Sequence, residues 1–180
     1  MRITVSSLWD GSPLPVHKQV VLTLEVVEGG SSLSITVDSP YYGDPSPTTP
    51  NPRSCEELWE FEVVELFIKG RADRYIEIEM GPHGHCLILT FNGYRDCSQR
   101  GLLPISYEAK ISQLRWTGTM LLPLSLLPPS PDVYNAFAIH NKSSGGREYC
   151  IAFPPGDSGC TPDFHTLELF REFPEDLFFH

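Results

Sequence analysis

The stretch from Trp59 to Lys69, followed by Tyr75 to Met80, sets the strongest limit on what this chain can fold into. Side chains alternate along a β-strand, so Val64, Leu66 and Ile68 fall on one side, and Ile76, Ile78 and Met80 fall on one side of the next strand. Glu65, Phe67, Tyr75, Glu77 and Glu79 take the opposite faces. The apolar set can only pack on a core. The set of carboxylates and rings is either solvated surface or a place that holds a polar ligand, and the choice between these decides the functional reading.

The same alternation recurs along the chain. Val20, Leu22, Leu24 and Val26 alternate with Val21, Thr23, Glu25 and Val27, and Leu33, Ile35 and Val37 alternate with Ser34, Thr36 and Asp38. Gly29-Gly30-Ser-Ser between them reads as a hairpin turn. Gly81-Pro-His-Gly84 leads into a third meander strand, Cys86 to Phe91. Strands at 107–111, 116–122, 134–140 and 149–153 bring the expected number to about nine. Helix signals are confined to Leu124-Ser-Leu-Leu127, stopped by Pro128-Pro129, and to 164–173, which reads as a helical turn or a last edge strand. Short strands with Gly/Pro turns predict an all-β antiparallel sandwich, jelly-roll-like, over residues 1–180 as one domain. Five prolines crowd the segment from Ser39 to Arg53. A connection that long is expected to wall a cleft or to form a surface insertion.

The 13 Lys+Arg against 23 Asp+Glu give a net charge of −10. This acidic balance disfavours nucleic acid and anionic membranes as partners and leaves neutral or cationic ligands. No run of about 18 apolar residues predicts a membrane span. The N-terminal segment shows no secretory h-region, so a cytoplasmic location is expected, with Cys55, Cys86, Cys97, Cys150 and Cys160 reduced. None of the five is spaced as C-x-x-C, so zinc ribbons and redox dithiols are unsupported.

Three groups of residues point to chemistry. Paired carboxylates suit glycoside hydrolysis, calcium or the hydroxyl groups of a sugar. Glu65 stands among Val63, Val64, Leu66 and Phe67 and is expected to be partly buried, whereas Glu77 and Glu79 also fit the polar outer face of an antiparallel sheet. His83 and His85 could bind zinc together with Cys86, but a third protein ligand is wanting beyond His140 and His165 as candidates, and no metal set is assigned. Trp59 and Trp116 are the candidate ligand-facing rings. No G-x-S-x-G elbow or P-loop is present.

These segments also carry a resemblance. Leu58 to Phe67, Tyr75-Ile-Glu-Ile-Glu-Met-Gly-Pro82-His-Gly84, Trp116 to Ser125, Tyr134 to His140 and Pro162-Asp-Phe-His165 resemble, in order, the strands of family 9 carbohydrate-binding modules. Trp9-Asp-Gly11, Glu57 to Glu65, Gly81 to Gly84, Phe137-Ala-Ile-His140 and Pro162 to His165 are similar in particular to a family of small intracellular proteins of unassigned activity, UPF0462. The module resemblance implies a β-sandwich that cradles a sugar end between two tryptophans, with calcium bound elsewhere. Trp59 and Glu65 match positions of that kind, while the strand that would supply the second tryptophan reads Ala138-Ile139-His140-Asn141. No calcium ligands carry over, and the resemblance implies no role for His165.

The expectation is a non-catalytic binding module for a carbohydrate or other small polar ligand. Its concave face would carry Trp59, Glu65, Tyr75 and Glu77, with His140 and Asn141 adding hydrogen bonds, and no cofactor is expected apart from the calcium that the resemblance allows. The alternatives are an interaction domain whose Pro-rich loop and acidic face engage a protein partner, and a hydrolase using Glu65 with Glu77 or a metal at His83 and His85.

Overall fold

A computed structural model of the chain describes residues 1–27, 29–156, 161–173 and 177. The strands are β1 (Arg2–Val5), β2 (Ser7–Leu8), β3 (Val20–Val26), β4 (Ser32–Pro40), β5 (Val63–Lys69), β6 (Tyr75–Met80), β7 (Cys86–Phe91), β8 (Cys97–Arg100), β9 (Ser106–Ser112), β10 (Arg115–Pro123), β11 (Val133–Asn141), β12 (Arg147–Ile151) and β13 (Arg171–Glu172). They form two antiparallel sheets. The smaller runs β1-β3-β4-β10-β9. The larger runs β2-β12-β11-β5-β6-β7-β8, with β13 added beside β11. All the long strands were expected from alternation; β1, β2, β8 and β13, of two to four residues, were too short to carry a pattern. Helical structure among the described residues is limited to short 3-10 turns, Leu124–Leu126 and Leu167–Leu169 among them, so none is long and apolar enough to cross a membrane.

The two sheets meet across one apolar layer. Leu22, Leu24, Ile35 and Val37 of the smaller sheet face Val64, Leu66, Ile68, Ile76, Ile78 and Met80 of the larger one, all buried. Each such side chain contributes about 1.5–3 kcal/mol by leaving water. The β3–β4 hairpin turns at Gly29 and Gly30, whose φ values of 94° and 66° lie where a side chain is disfavoured. Trp116 is also in this inter-sheet layer, 1% exposed, and is therefore a core ring with no access to ligand.

The larger sheet is covered on its outer face as well. Trp9, Leu58, Val63, Phe67, Tyr75, Leu89, Phe91, Phe137, Ile139 and Ile151 join Phe164 and Phe170 in a second buried cluster. Phe164 stacks on Phe137 with centroids 4.1 Å apart and on Trp9 at 5.8 Å. The segment around Pro162–Phe170 therefore lies as a strap over the outer face, and that strap is what turns a polar sheet surface into an interior.

The Pro-rich connection between β4 and β5 packs at one end of the sandwich. The Glu62 carboxylate accepts the backbone N–H of Tyr42 (3.1 Å) and of Asp44 (3.4 Å). Arg53 donates to the carbonyls of Pro104 and Ile105, and the Cys55 N–H donates to Cys86 O.

Candidate functional site

A cavity of about 370 Å³ opens between the outer face of the larger sheet and the strap. Its floor is set by strand register. Glu65 on β5 lies opposite Glu79 on β6 and opposite Phe137 on β11, while Phe67 lies opposite Glu77. The strict two-residue period therefore places Glu65, Glu77 and Glu79 together on one face of adjacent strands. Trp59, Tyr149 and Phe164 supply rings to the walls, and Arg95, Arg100, Asp163 and His165 supply polar groups. Trp59 is partly exposed, and it reaches the wall because Glu57, at a left-handed φ of 57°, turns the chain into the short 3-10 segment Leu58–Glu60. That turn sends Leu58 into the outer cluster.

The carboxylates are not solvated surface. Glu65, Glu77 and Glu79 are 2%, 4% and 0% exposed, so the reading of Glu77 and Glu79 as an ordinary polar face is corrected. The sequence could not show this, because the residues that cover them lie roughly ninety positions further on. Removal from water raises all three pKa values. Burial, reinforced by Glu77, pushes Glu65 well above the usual range despite the Arg147 guanidinium nearby. Burial takes Glu77 up to about 7. Glu79 is pushed well up by burial and by the Glu65 and Glu77 charges. No N–H or O–H donor among the described residues reaches either Glu79 oxygen. One oxygen each of Glu65 and Glu77 is likewise buried without a hydrogen-bond partner. Unpartnered buried oxygens are uncommon and costly.

His165, whose role the resemblance left open, is held by a relay. The Tyr75 hydroxyl accepts the Arg95 backbone N–H at 3.0 Å and stands 2.7 Å from His165 Nδ1. In the tautomer where the hydroxyl donates to Nδ1, the ring proton is on Nε2, which stands 3.8 Å from Glu77 Oε2. Burial, and then the Arg95 charge, lowers the His165 pKa to about 4, so the ring is neutral. Asp163 anchors the strap. It accepts from Arg95 (2.8 Å), the Tyr94 hydroxyl (2.7 Å) and the His165 backbone N–H (3.0 Å). Burial acts to raise its pKa, but these hydrogen bonds hold it below the usual carboxylate range.

Of the six residues expected to bind ligand, Trp59, Glu65 and Glu77 line this cavity. Tyr75 is 1% exposed, stacked on Phe91 at 4.4 Å, and acts on the cavity through His165. His140 does not join them. Ala138 and His140 fall on the face of β11 opposite to Phe137 and Ile139, and hence opposite to Glu65. His140 and Asn141 instead line a second cavity with Lys18, Tyr42, Asp44 and Glu148. The expectation that His140 and Asn141 add hydrogen bonds at the face of Trp59, Glu65 and Glu77 is thus corrected. Both faces of Ala136-Phe-Ala-Ile139 are apolar, so alternation gave no sign of which one His140 shares.

The His83 and His85 pairing with Cys86 does not form a metal set. His83 Nε2 lies 3.3 Å from the Asp44 carbonyl, and Cys86 sits in the inter-sheet core with its thiol toward the Arg53 carbonyl. Cys55, Cys86, Cys97 and Cys150 are free thiols; Cys160 lies outside the described residues.

Two antiparallel sheets packed face to face, one of them covered on its outer face as well, define the chain as an antiparallel β-sandwich. A crystal structure of a candidate carbohydrate-binding protein from Bacteroides uniformis superposes on it with a TM-score of 0.65, covering 94% of this chain and 84% of that one at 15% identity. No family model matches the sequence. Curated relatives named UPF0462 protein C4orf33 do match. The Homo sapiens protein is 33% identical, with 96% of this chain and 87% of the relative covered; the Mus musculus and Danio rerio homologues are each 35% identical, also over 96% of this chain. The chain belongs to the UPF0462 family.

Proposed function

We propose that the outer-face cavity binds a neutral, hydroxyl-rich small molecule, a carbohydrate end being the best fit. The observation that carries this reading is the floor itself: buried oxygens of Glu65 and Glu77 that lack a hydrogen-bond partner, near His165 Nε2 and in a cavity that Trp59 also lines. A sugar hydroxyl both donates and accepts, so one hydroxyl can satisfy a carboxylate and the imidazole N–H together. The apolar face of a pyranose would lie on Trp59, with Tyr149 and Phe164 as the other rings in place of a second tryptophan. The bacterial neighbour's description agrees with this reading. Calcium, which the module resemblance implies, would need a shell of oxygen ligands apart from this cavity.

A glycan array followed by calorimetric titration tests the proposal. The wild-type protein is expected to bind a neutral glycan with a Kd of about 1 µM to 1 mM, and Trp59→Ala to weaken that binding at least tenfold. Absence of binding to any glycan by wild type and variant alike would remove the reading.

One observation favours a second reading, hydrolysis of a glycosidic bond. Glu77 near pKa 7 is tuned as a general acid or base is, and Glu65 stands diagonally across the strand pair. Turnover of the bound glycan, abolished in Glu77→Gln while binding persists, would establish catalysis; binding without turnover leaves a binding module.

A further inference from the structure

The second cavity, on the other face of the β11–β12 hairpin, has its own chemistry. His140 on β11 lies opposite Glu148 on β12, and Glu148 and Cys150 are two residues apart on the same face. One donor atom from each of the three lies within 4.8 Å of the other two. His140 is 4% exposed and Cys150 2%.

The histidine is oriented as a ligand. Its Nδ1 stands 3.0 Å from the Asn141 carbonyl oxygen, so Nδ1 carries the proton and donates it there, which leaves the Nε2 lone pair free. Tyr42 lies flat on the ring, centroids 3.4 Å apart and planes 5° from parallel, and fixes its plane. Nε2 is then aimed at Glu148 Oε1, 3.3 Å away, but makes no hydrogen bond, and it is buried. A lone pair facing a carboxylate oxygen is unfavourable unless a proton or a metal ion sits between them.

We propose that His140, Glu148 and Cys150 bind one divalent transition ion of the zinc class, with the fourth position open to the cavity. Imidazole nitrogen, carboxylate oxygen and thiolate sulfur together select such an ion over calcium or magnesium. Tetrahedral bonds of about 2.0–2.3 Å require ligand atoms about 3.3–3.8 Å apart, so His140 and Glu148 already have the spacing and Cys150 needs an approach of at most about 1 Å. Binding would displace the Cys150 thiol proton to solvent. Lys18 and Lys142 at the mouth favour water or a small anion as the fourth ligand.

The test uses the full chain, stripped with EDTA and titrated with Co²⁺. One equivalent is expected to bind, with visible d–d bands and a near-ultraviolet thiolate-to-cobalt band that Zn²⁺ abolishes and millimolar Ca²⁺ does not. Cys150→Ser should lose the thiolate band and bind at least tenfold more weakly, and Cys97→Ser should keep both. Absence of binding, displacement by Ca²⁺, or a thiolate band that survives Cys150→Ser would each overturn the proposal. Metal-free melting curves establish that the variants fold. If Cys150→Ser does not, Glu148→Gln carries the test, because its side chain is 19% exposed. It should retain the thiolate band with affinity at least tenfold lower, and unchanged affinity would overturn the site.

Discussion

The two faces of β5 and β6 are equally dry and chemically opposite. Leu66, Ile76 and Ile78 on the inner face are 0% exposed, as is Glu79 on the outer face. On the inner face burial is itself the stabilising event. On the outer face it is a cost, since each carboxylate loses hydration without gaining a full set of hydrogen bonds. The three carboxylates under the strap of Pro162–Phe170 therefore cost the fold stability, where the apolar side chains of the inner face supply it.

The largest expected effect tests the inner face. Ile78→Ala should lower unfolding free energy by about 2–5 kcal/mol in urea denaturation, through lost transfer energy and the cavity left behind. A loss under 1 kcal/mol would mean the sheets are not closely packed there.

The next effect tests the outer face through pH. Glu77 has a folded pKa of about 7 against an ordinary value of 4.5. Between those values the unfolded chain releases a proton that the folded chain keeps, so the Glu77 contribution to stability falls as pH rises through this window and is constant above it. Glu62, also raised by burial to about 7, acts in the same direction, while His165, lowered to about 4, acts in the opposite one. The difference between wild type and Glu77→Gln isolates the single group. The variant should gain about 3 kcal/mol relative to wild type between pH 4.5 and 7, read from denaturation at each pH. A difference that does not vary with pH would place Glu77 in water.

Glu79→Met sharpens the contrast in sign. Replacing a buried, incompletely bonded carboxyl by an apolar side chain of similar length should raise stability by about 1–3 kcal/mol at pH 7. The same denaturation measurement would refute the account if the variant were destabilised as strongly as Ile78→Ala. The smallest effect is at the relay. Tyr75→Phe should cost about 1–2 kcal/mol, and ¹⁵N NMR of the His165 ring should show the loss of its fixed Nε2–H tautomer, since the hydroxyl that meets both Arg95 N–H and His165 Nδ1 is gone.

The sandwich was legible because its evidence is local. Alternation within β3, β4, β5 and β6 survives without knowledge of the partners, and Gly29-Gly30 and Gly81–Gly84 mark the turns. The pairing of Trp59 with Glu65 was legible for the same reason, both lying on one short segment. What escaped is non-local. The burial of Glu77 and Glu79 depends on Phe164 and His165, and the tilt of Tyr75 toward His165 depends on the same strap. His140 was misplaced because the face of β11 is set by pairing with β5, and Ala136-Phe-Ala-Ile139 is apolar on both sides. Its grouping with Glu148 and Cys150 arises only when the Ser143–Gly146 turn folds β12 back onto β11.

The central claim, that ligand binds on the covered outer face of the larger sheet, is tested most directly by calorimetric titration of one array-selected glycan into three proteins. Wild type and Asn141→Ala should bind with equal affinity, and Glu65→Gln at least tenfold more weakly, because Glu65 lies in the cavity floor and Asn141 in the other cavity. Loss of binding in Asn141→Ala with Glu65→Gln unaffected would contradict the account and move the ligand to the other side of the hairpin.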